Sequence, residues 1–307
     1  MKKLLALLVL AALAVSVQAE PKKLLVVTTT TGFRHASIPT LEKMLAQLAK
    51  DSGAFTVDFV RQPDGKPTAP KKPKAPTIDS LESVKMDYNV AEEKFNADQA
   101  VFVLAEAKWQ ATLKTTLEKL SPASLKNYDG VIFASTTGDL PIPDQAGFLD
   151  WLKAGHAFIG LHAASDTFPN WPGYIEMLGG HFARHGKQVG VECLNQDAAH
   201  PATATLGKSF AVALEEIYQF KDYDAAKVHD LLILDKHPEH PEQAGRFPVA
   251  WCKDYGTGKV FYTSLGHRED VIDADPEMKN RKNSVATAKA YQAHVLGGIE
   301  WALGLKK

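Results

Sequence analysis

Ala157-Phe158-Ile159-Gly160-Leu161-His162-Ala163-Ala164-Ser165-Asp166-Thr167 is the stretch from which the fold can be read, a short apolar run that stops in small residues and two ionisable side chains. A strand ending in Gly-x-His-small-small predicts a tight turn that lifts His162 into a cleft. In strand-turn-helix enzymes such an elbow carries the Ser or Cys that attacks a carbonyl. Here the position holds an imidazole with no thiol nearby, so proton transfer or ligand holding is expected rather than covalent acylation.

Outward from the elbow the chain keeps an α/β rhythm. Leu24 to Thr30 is a β-branched run of the kind buried on both faces of a parallel sheet, and reads as the first, central strand. Ser37 is placed to cap a helix whose apolar positions Ile38, Leu41, Leu45 and Leu48 recur at helical spacing, and Phe55 to Val60 alternates as the second strand. Tyr128 to Ala134 predicts a strand, Gln145 to Lys153 a helix, and Ala157 to Leu161 the elbow strand. Further strands are expected near Gln188 to Leu194, Asp230 to Leu234, Pro248 to Cys252 and Lys259 to Ser264. Tyr291, Val295, Gly298 and Ala302 mark one face of a terminal helix that Gly297-Gly298 would let approach the sheet closely. The expected fold is a doubly wound, mostly parallel α/β sheet with additional strands in the second half.

Residues 62–77 interleave Pro63, Pro67, Pro70, Pro73 and Pro76 with lysines, a composition that favours extended surface chain over a packed core. The segment from about Phe95 to Leu120 reads as helical. At the N-terminus, Met1-Lys2-Lys3, the apolar run Leu4 to Val15 and Val17-Gln18-Ala19 form a charged, an apolar and a small-x-small region. Residues 1–19 are therefore expected to be a cleaved signal peptide. The mature chain, residues 20–307, is then expected in the periplasm or secreted, with no membrane association after cleavage.

The 307 residues carry 35 basic against 36 acidic side chains, which offers no electrostatic footprint for nucleic acid. No phosphate loop, dinucleotide glycine fingerprint or Cys-x-x-Cys pair occurs, so nucleotide cofactors and thiol redox chemistry have no support. The two cysteines, Cys193 and Cys252, both lie in strand-like contexts and are open to either a disulfide, if their strands are neighbours, or buried thiols.

Ligands of open parallel sheets bind beyond the carboxyl ends of the strands, so residues there are the candidates for chemistry. His162 is expected as a catalytic base, with Asp166 four residues on able to fix its tautomer, and His267 as a second catalytic histidine. His35, Arg34, Asp139, Trp171, Glu216 and Tyr218 are expected to bind substrate, the polar groups by hydrogen bonds and the indole by stacking on a sugar face. A divalent metal is the one cofactor the residues admit. His181 and His185 have the spacing of a helical ligand pair, to which His162, His35 or Glu216 could add a third donor, although flanking glycines argue against a regular helix.

Taken together, Phe33-Arg34-His35, Thr136-Thr137-Gly138-Asp139, Gly160 to Thr167, Trp171 with Tyr174, Leu178-Gly179-Gly180-His181-Phe182, Glu216-Ile217-Tyr218, Phe261 to His267 and Gly297 to Ala302 resemble the ThuA-like (trehalose utilisation) family over nearly the whole mature chain. The resemblance implies a class I glutamine amidotransferase-like, flavodoxin-like fold that lacks the amidotransferase nucleophile, with His162 at or beside the elbow position. It also implies a role in sugar metabolism, often alongside sugar oxidoreductases. The Pro/Lys insertion and the helical segment up to about Leu120 depart from the compact family pattern.

The expected function is thus an exported enzyme acting on a small carbohydrate, a disaccharide or glycoside or its 3-keto derivative, by histidine-based elimination or hydrolysis. A ketone acidifies the neighbouring C–H, so a site rich in histidine and poor in paired acids suits that route better than two-carboxylate glycoside hydrolysis. The alternative is a non-catalytic carbohydrate-binding or scaffold protein with the same cleft. Oligomeric state is left open.

Overall fold

Leu24, Leu25, Val26 and Val27 are all fully buried, and they alternate between two cores. Leu24 and Val26 face one side of the strand and Leu25 and Val27 the other, as a strand sandwiched between two helical layers requires. Full burial of one such side chain stabilises by about 1.5–3 kcal/mol, which makes this strand a principal anchor of the fold. The computed structural model describes residues 20–77 and 80–307, and the expected signal peptide, residues 1–19, lies outside the described residues.

The elements run in order β1 (Lys22–Val27), α1 (Ile38–Ser52), β2 (Phe55–Val60), α2 (Glu82–Leu117), α3 (Pro122–Leu125), β3 (Gly130–Ala134), α4 (Gln145–Lys153), β4 (Ala157–Leu161), α5 (Pro172–Leu178), β5 (His181–His185), β6 (Val189–Asn195), β7 (Ser209–Glu215), β8 (Tyr218–Lys221), β9 (His229–His237), β10 (His240–Tyr255), β11 (Gly258–Thr263), α6 (Glu269–Ile272) and α7 (Val285–Ala302). The large sheet has the order β2-β1-β3-β4-β11-β10-β9-β6-β7. Its first five strands are mutually parallel in a 2-1-3-4-5 arrangement, the flavodoxin-like order, and the remaining four continue it antiparallel. The chain order reverses between β1 and β3, which opens a crevice at the carboxyl ends of the strands.

Core residues of α1 and α7 (Leu41, Leu45, Val295, Ile299) pack with Val26, Ile132, Ile159 and Phe261. Residues of α2, α4 and α5 (Trp109, Phe148, Tyr174) pack with Val27, Phe133, Phe158 and Tyr262 on the opposite face. The close approach expected of α7 is present, since a methyl group at Gly298 would overlap the Phe261 ring.

Several differences from the sequence reading have local causes. Helix α2 starts at Glu82 rather than near Phe95, and among its residues only Trp109, Leu113 and Leu117 are buried. Its remaining turns leave Met86, Val90, Val101 and Leu104 exposed, so no apolar periodicity announces them. Ser37 does not cap α1 through its side chain; its hydroxyl donates to the Gly266 carbonyl at 3.3 Å and ties the start of the helix to the loop after β11. Cys193 on β6 and Cys252 on β10 are separated by β9 and remain free, buried thiols. Across an intervening strand their separation exceeds the span of a disulfide. Among the described residues, no helix is long and apolar enough to cross a membrane.

Candidate functional site

The loops after β1, β4 and β11 each bring one histidine to the crevice. After β1, Thr137 pins the loop, its backbone carbonyl accepting from Thr31 N at 3.0 Å and its hydroxyl donating to the Phe33 carbonyl at 2.7 Å, which leaves His35 pointing inward and buried. After β4 the backbone turns at once. His162 adopts φ +49°, a left-handed conformation that disfavours a side chain and costs on the order of 1–3 kcal/mol. The elbow is held by Tyr262, whose hydroxyl donates to the His162 carbonyl at 2.7 Å, and by the Thr136–Thr167 hydroxyl pair at 2.7 Å. After β11, Gly266 takes φ +112° with its backbone against the Tyr291 hydroxyl, a fit only glycine allows, and presents His267.

The three rings meet edge to face. Centroids of His35 and His162 lie 4.6 Å apart, those of His35 and His267 5.4 Å, and those of His162 and His267 5.3 Å, with interplanar angles of 86°, 90° and 74°. Glu216 completes the cluster. Its Oε2 is 3.1 Å from His267 Nδ1 and 3.7 Å from His162 Nε2, and its Oε1 is 3.1 Å from His185 Nδ1. One donor atom from each of His35, His162, Glu216 and His267 lies within 4.8 Å of the others.

Protonation follows from these contacts. His162 is fully buried and burial holds it well below the ordinary imidazole range, so it is neutral. Its Nδ1–H donates to the Ser264 carbonyl at 2.7 Å, which leaves Nε2 as the lone-pair nitrogen, 3.0 Å from the donating Tyr218 hydroxyl. Burial, helped by His267, pushes His35 down to about 4. For His267 burial works in the same direction, but the Glu216 carboxylate outweighs it and the pKa is raised. Reciprocally, burial would raise Glu216, and the imidazoles of His267, His185 and His35 hold it below its usual value. Next to it Glu215 is fully buried and pushed up to about 7, its carboxylate accepting from Glu216 N at 2.8 Å and Gly266 N at 3.2 Å. Of two adjacent acids, one enters the cluster and the other braces the backbone that carries it.

A cavity of about 400 Å³ opens beside the cluster, lined by Phe33, His35, Asp166, Phe182, His185, Glu216, Tyr218 and His267. The two-stranded ribbon of β5 and β8 brings Phe182, His185 and Tyr218 to it. Asp166 is half-buried in the wall and burial raises its pKa, with Lys221 opposing.

The structure therefore brings together His35, His162, His267, Glu216 and Tyr218, with Asp166 on the cavity wall. The expected His162–Asp166 hydrogen bond is not formed, because the Ser264 carbonyl occupies Nδ1. Three expected substrate residues have other partners. Arg34 donates to the Thr28 carbonyl at 2.8 Å, Asp139 is exposed and accepts from Asn170 at 3.2 Å, and Trp171 packs on Phe168 and Tyr174. The His181–His185 pair is also corrected. The two lie on the strand β5, not a helix, roughly 13 Å apart along it. His181 Nδ1 turns toward Asp222 at 4.0 Å, and only His185 reaches Glu216. The bracing roles of Ser264 and Glu215 had no signal beyond the adjacency of Glu215 to Glu216.

Comparison with known proteins agrees with this architecture. A family model described as trehalose utilisation, ThuA, matches residues 83–302. A ThuA-like protein from Parabacteroides merdae superposes with a TM-score of 0.60 at 19% identity, over 93% of this chain and 91% of that one. Another from Bacteroides uniformis gives a TM-score of 0.55 at 17% identity, over 94% and 95% of the two chains. At these identities the likeness concerns the fold alone. No curated protein matches the chain.

Proposed function

This chain belongs to the ThuA (trehalose utilisation) family, and from that premise we propose that it is an exported enzyme acting on a keto-disaccharide or keto-glycoside by proton abstraction next to the ketone. The observation that carries the reading is the cluster of His35, His162, His267 and Glu216 beside a cavity whose wall also carries Asp166, a half-buried carboxylate with no hydrogen-bond partner among the described residues. Family membership supports a carbohydrate-related role. The apolar leader of residues 1–19 supports export.

In this reading Asp166 is the base. A carboxylate whose pKa is raised by burial is a stronger base than one in water, and among the described residues no hydrogen bond competes for it. It takes the proton from the carbon beside the ketone, and the electron pair moves to the ketone oxygen. His267, whose pKa Glu216 raises, lies where a ring N–H can stabilise that enolate. The pair then returns to expel the glycosidic oxygen, which receives the proton that Asp166 took. Tyr218 and His185 border the same space and supply hydrogen bonds for sugar hydroxyls.

The test is to incubate the purified mature chain with trehalose, simple glycosides and their 3-keto forms, and to follow release of the aglycone sugar. Turnover of a keto form that Asp166→Asn lowers by about 10²-fold or more supports the reading. Tight sugar binding without turnover of any form supports the carbohydrate-binding alternative and overturns this one.

A further inference from the structure

We propose that His35, His162, Glu216 and His267 together bind one divalent first-row transition cation of the zinc or manganese kind. The role of that cation in catalysis rests on the function proposed above, but its binding does not.

The donor set is the first argument. Three imidazole nitrogens with one carboxylate oxygen match borderline cations and are ill suited to magnesium or calcium, which take oxygen ligands. The spacing is the second. Around a cation with bonds of about 2.0–2.2 Å, neighbouring donors are roughly 3–3.5 Å apart. Glu216 Oε2 already stands 3.1 Å from His267 Nδ1 and 3.7 Å from His162 Nε2, and the whole set falls within 4.8 Å. The near-perpendicular rings converge by their edges rather than stacking, as ligand imidazoles do.

Two further features point the same way. The Ser264 carbonyl accepts from His162 Nδ1, fixing the tautomer that leaves Nε2 free to ligate, an outer contact that metal-binding histidines commonly make. The Nδ1 atom of His35 is buried with no hydrogen-bond partner, an unexplained polar atom in the middle of the cluster. The Tyr218 hydroxyl, 3.0 Å from His162 Nε2, is the contact that binding displaces, and it would turn toward the cavity. That cavity lies on one side of the cluster, so a cation held by these four donors would meet a molecule in the cavity as its fifth ligand, the expanded coordination that zinc sites can adopt. A cation so placed would polarise a ketone oxygen entering from the cavity.

The full chain, purified without a histidine tag and stripped with chelator, is titrated with Co²⁺ and then Zn²⁺ while visible d–d absorption and binding heat are recorded. One equivalent per chain, displaced by Zn²⁺, is expected. Glu216→Gln and His267→Ala, each checked for native folding by near-ultraviolet circular dichroism, should weaken binding by about a hundredfold or more. Asp166→Asn should leave it unchanged although the residue lines the same cavity. Absence of a stoichiometric signal, or undiminished binding in folded Glu216→Gln, overturns the proposal. Keto-sugar turnover by metal-stripped protein in chelator overturns the catalytic role of the cation while sparing the function. Stoichiometric binding with no turnover of any sugar does the reverse.

Discussion

Glu216 and His267 show how two side chains set each other's charge in a buried pocket. Burial alone would neutralise both, yet at 3.1 Å their mutual attraction prevails, lowering the acid and raising the base. In metal-stripped protein, Glu216→Gln should therefore let burial win, and the His267 pKa should fall below its usual value of 6.5. Imidazole nitrogen shifts in a ¹⁵N NMR titration will read this, and an unchanged pKa would contradict the pairing. Asp166 makes the complementary prediction for activity. As a base it works ionised, and its raised pKa places the acid limb of kcat/KM above the ordinary aspartate value of 3.8, with activity lost as pH falls through it. That limb should vanish from the residual activity of Asp166→Asn. The three strand-end histidines and Glu216 could be picked out of the sequence because no packing rule puts imidazoles after three separate strands. Ser264 could not, since it acts through a backbone carbonyl that any residue supplies.

At the scale of elements, close packing separates positions that look alike in sequence. Gly298→Ala gains helix propensity of about 1 kcal/mol but drives a methyl group into the Phe261 ring. The expected net result is a loss of up to about 2 kcal/mol in urea denaturation, because overpacking a close helix–sheet contact costs about 1–3 kcal/mol. Helix α2 gives a contrast within one element. Trp109 is 4% exposed and donates to the Pro63 carbonyl at 3.1 Å, so Trp109→Ala should cost about 3–5 kcal/mol. Leu104 is 75% exposed, and Leu104→Ala should change stability by no more than about 0.5 kcal/mol. Two strands were legible to the residue, Ala157–Leu161 as a short, fully buried apolar run with abrupt ends and Phe55–Val60 by its alternation. The ribbon strand His181–His185 was not, because its imidazoles and arginine carry no alternation and its spacing mimics a helical pair.

For the molecule as a whole, buried histidines decide the response to acid. His35, His200 and His294 are pushed down to about 4 by burial, and burial also holds His162 well below the ordinary imidazole range. Between that value and about 6.5 the unfolded chain binds protons that the folded chain refuses, so stability is full above pH 6.5 and is lost as pH falls toward 4. The fully buried His294 alone accounts for about 3 kcal/mol across that window, on the order of 1.4 kcal/mol per pH unit. Glu215 and Asp166 oppose the trend, since their raised pKa values add stability that is present at low pH and lost as pH rises, but the lowered histidines outnumber them. Urea denaturation at pH 7, 5.5 and 4.5 should show a progressive fall, and a flat profile would contradict neutral burial of these rings. The parallel half of the sheet was legible as a whole because each strand is followed by its helix. Of the antiparallel extension beyond β11, β6, β9 and β10 were legible only as separate strands and β7 was not read, since pairing among them depends on contacts far apart in the chain.

The most direct measurement is proton exchange at the carbon beside the ketone. A 3-keto-disaccharide held with the enzyme in D₂O and followed by NMR should exchange that hydrogen for deuterium or eliminate its aglycone, and Asp166→Asn should do neither at a comparable rate. If the sugar binds at the cluster and its C–H signal persists unchanged with the wild-type chain, the site does not perform the chemistry assigned to it.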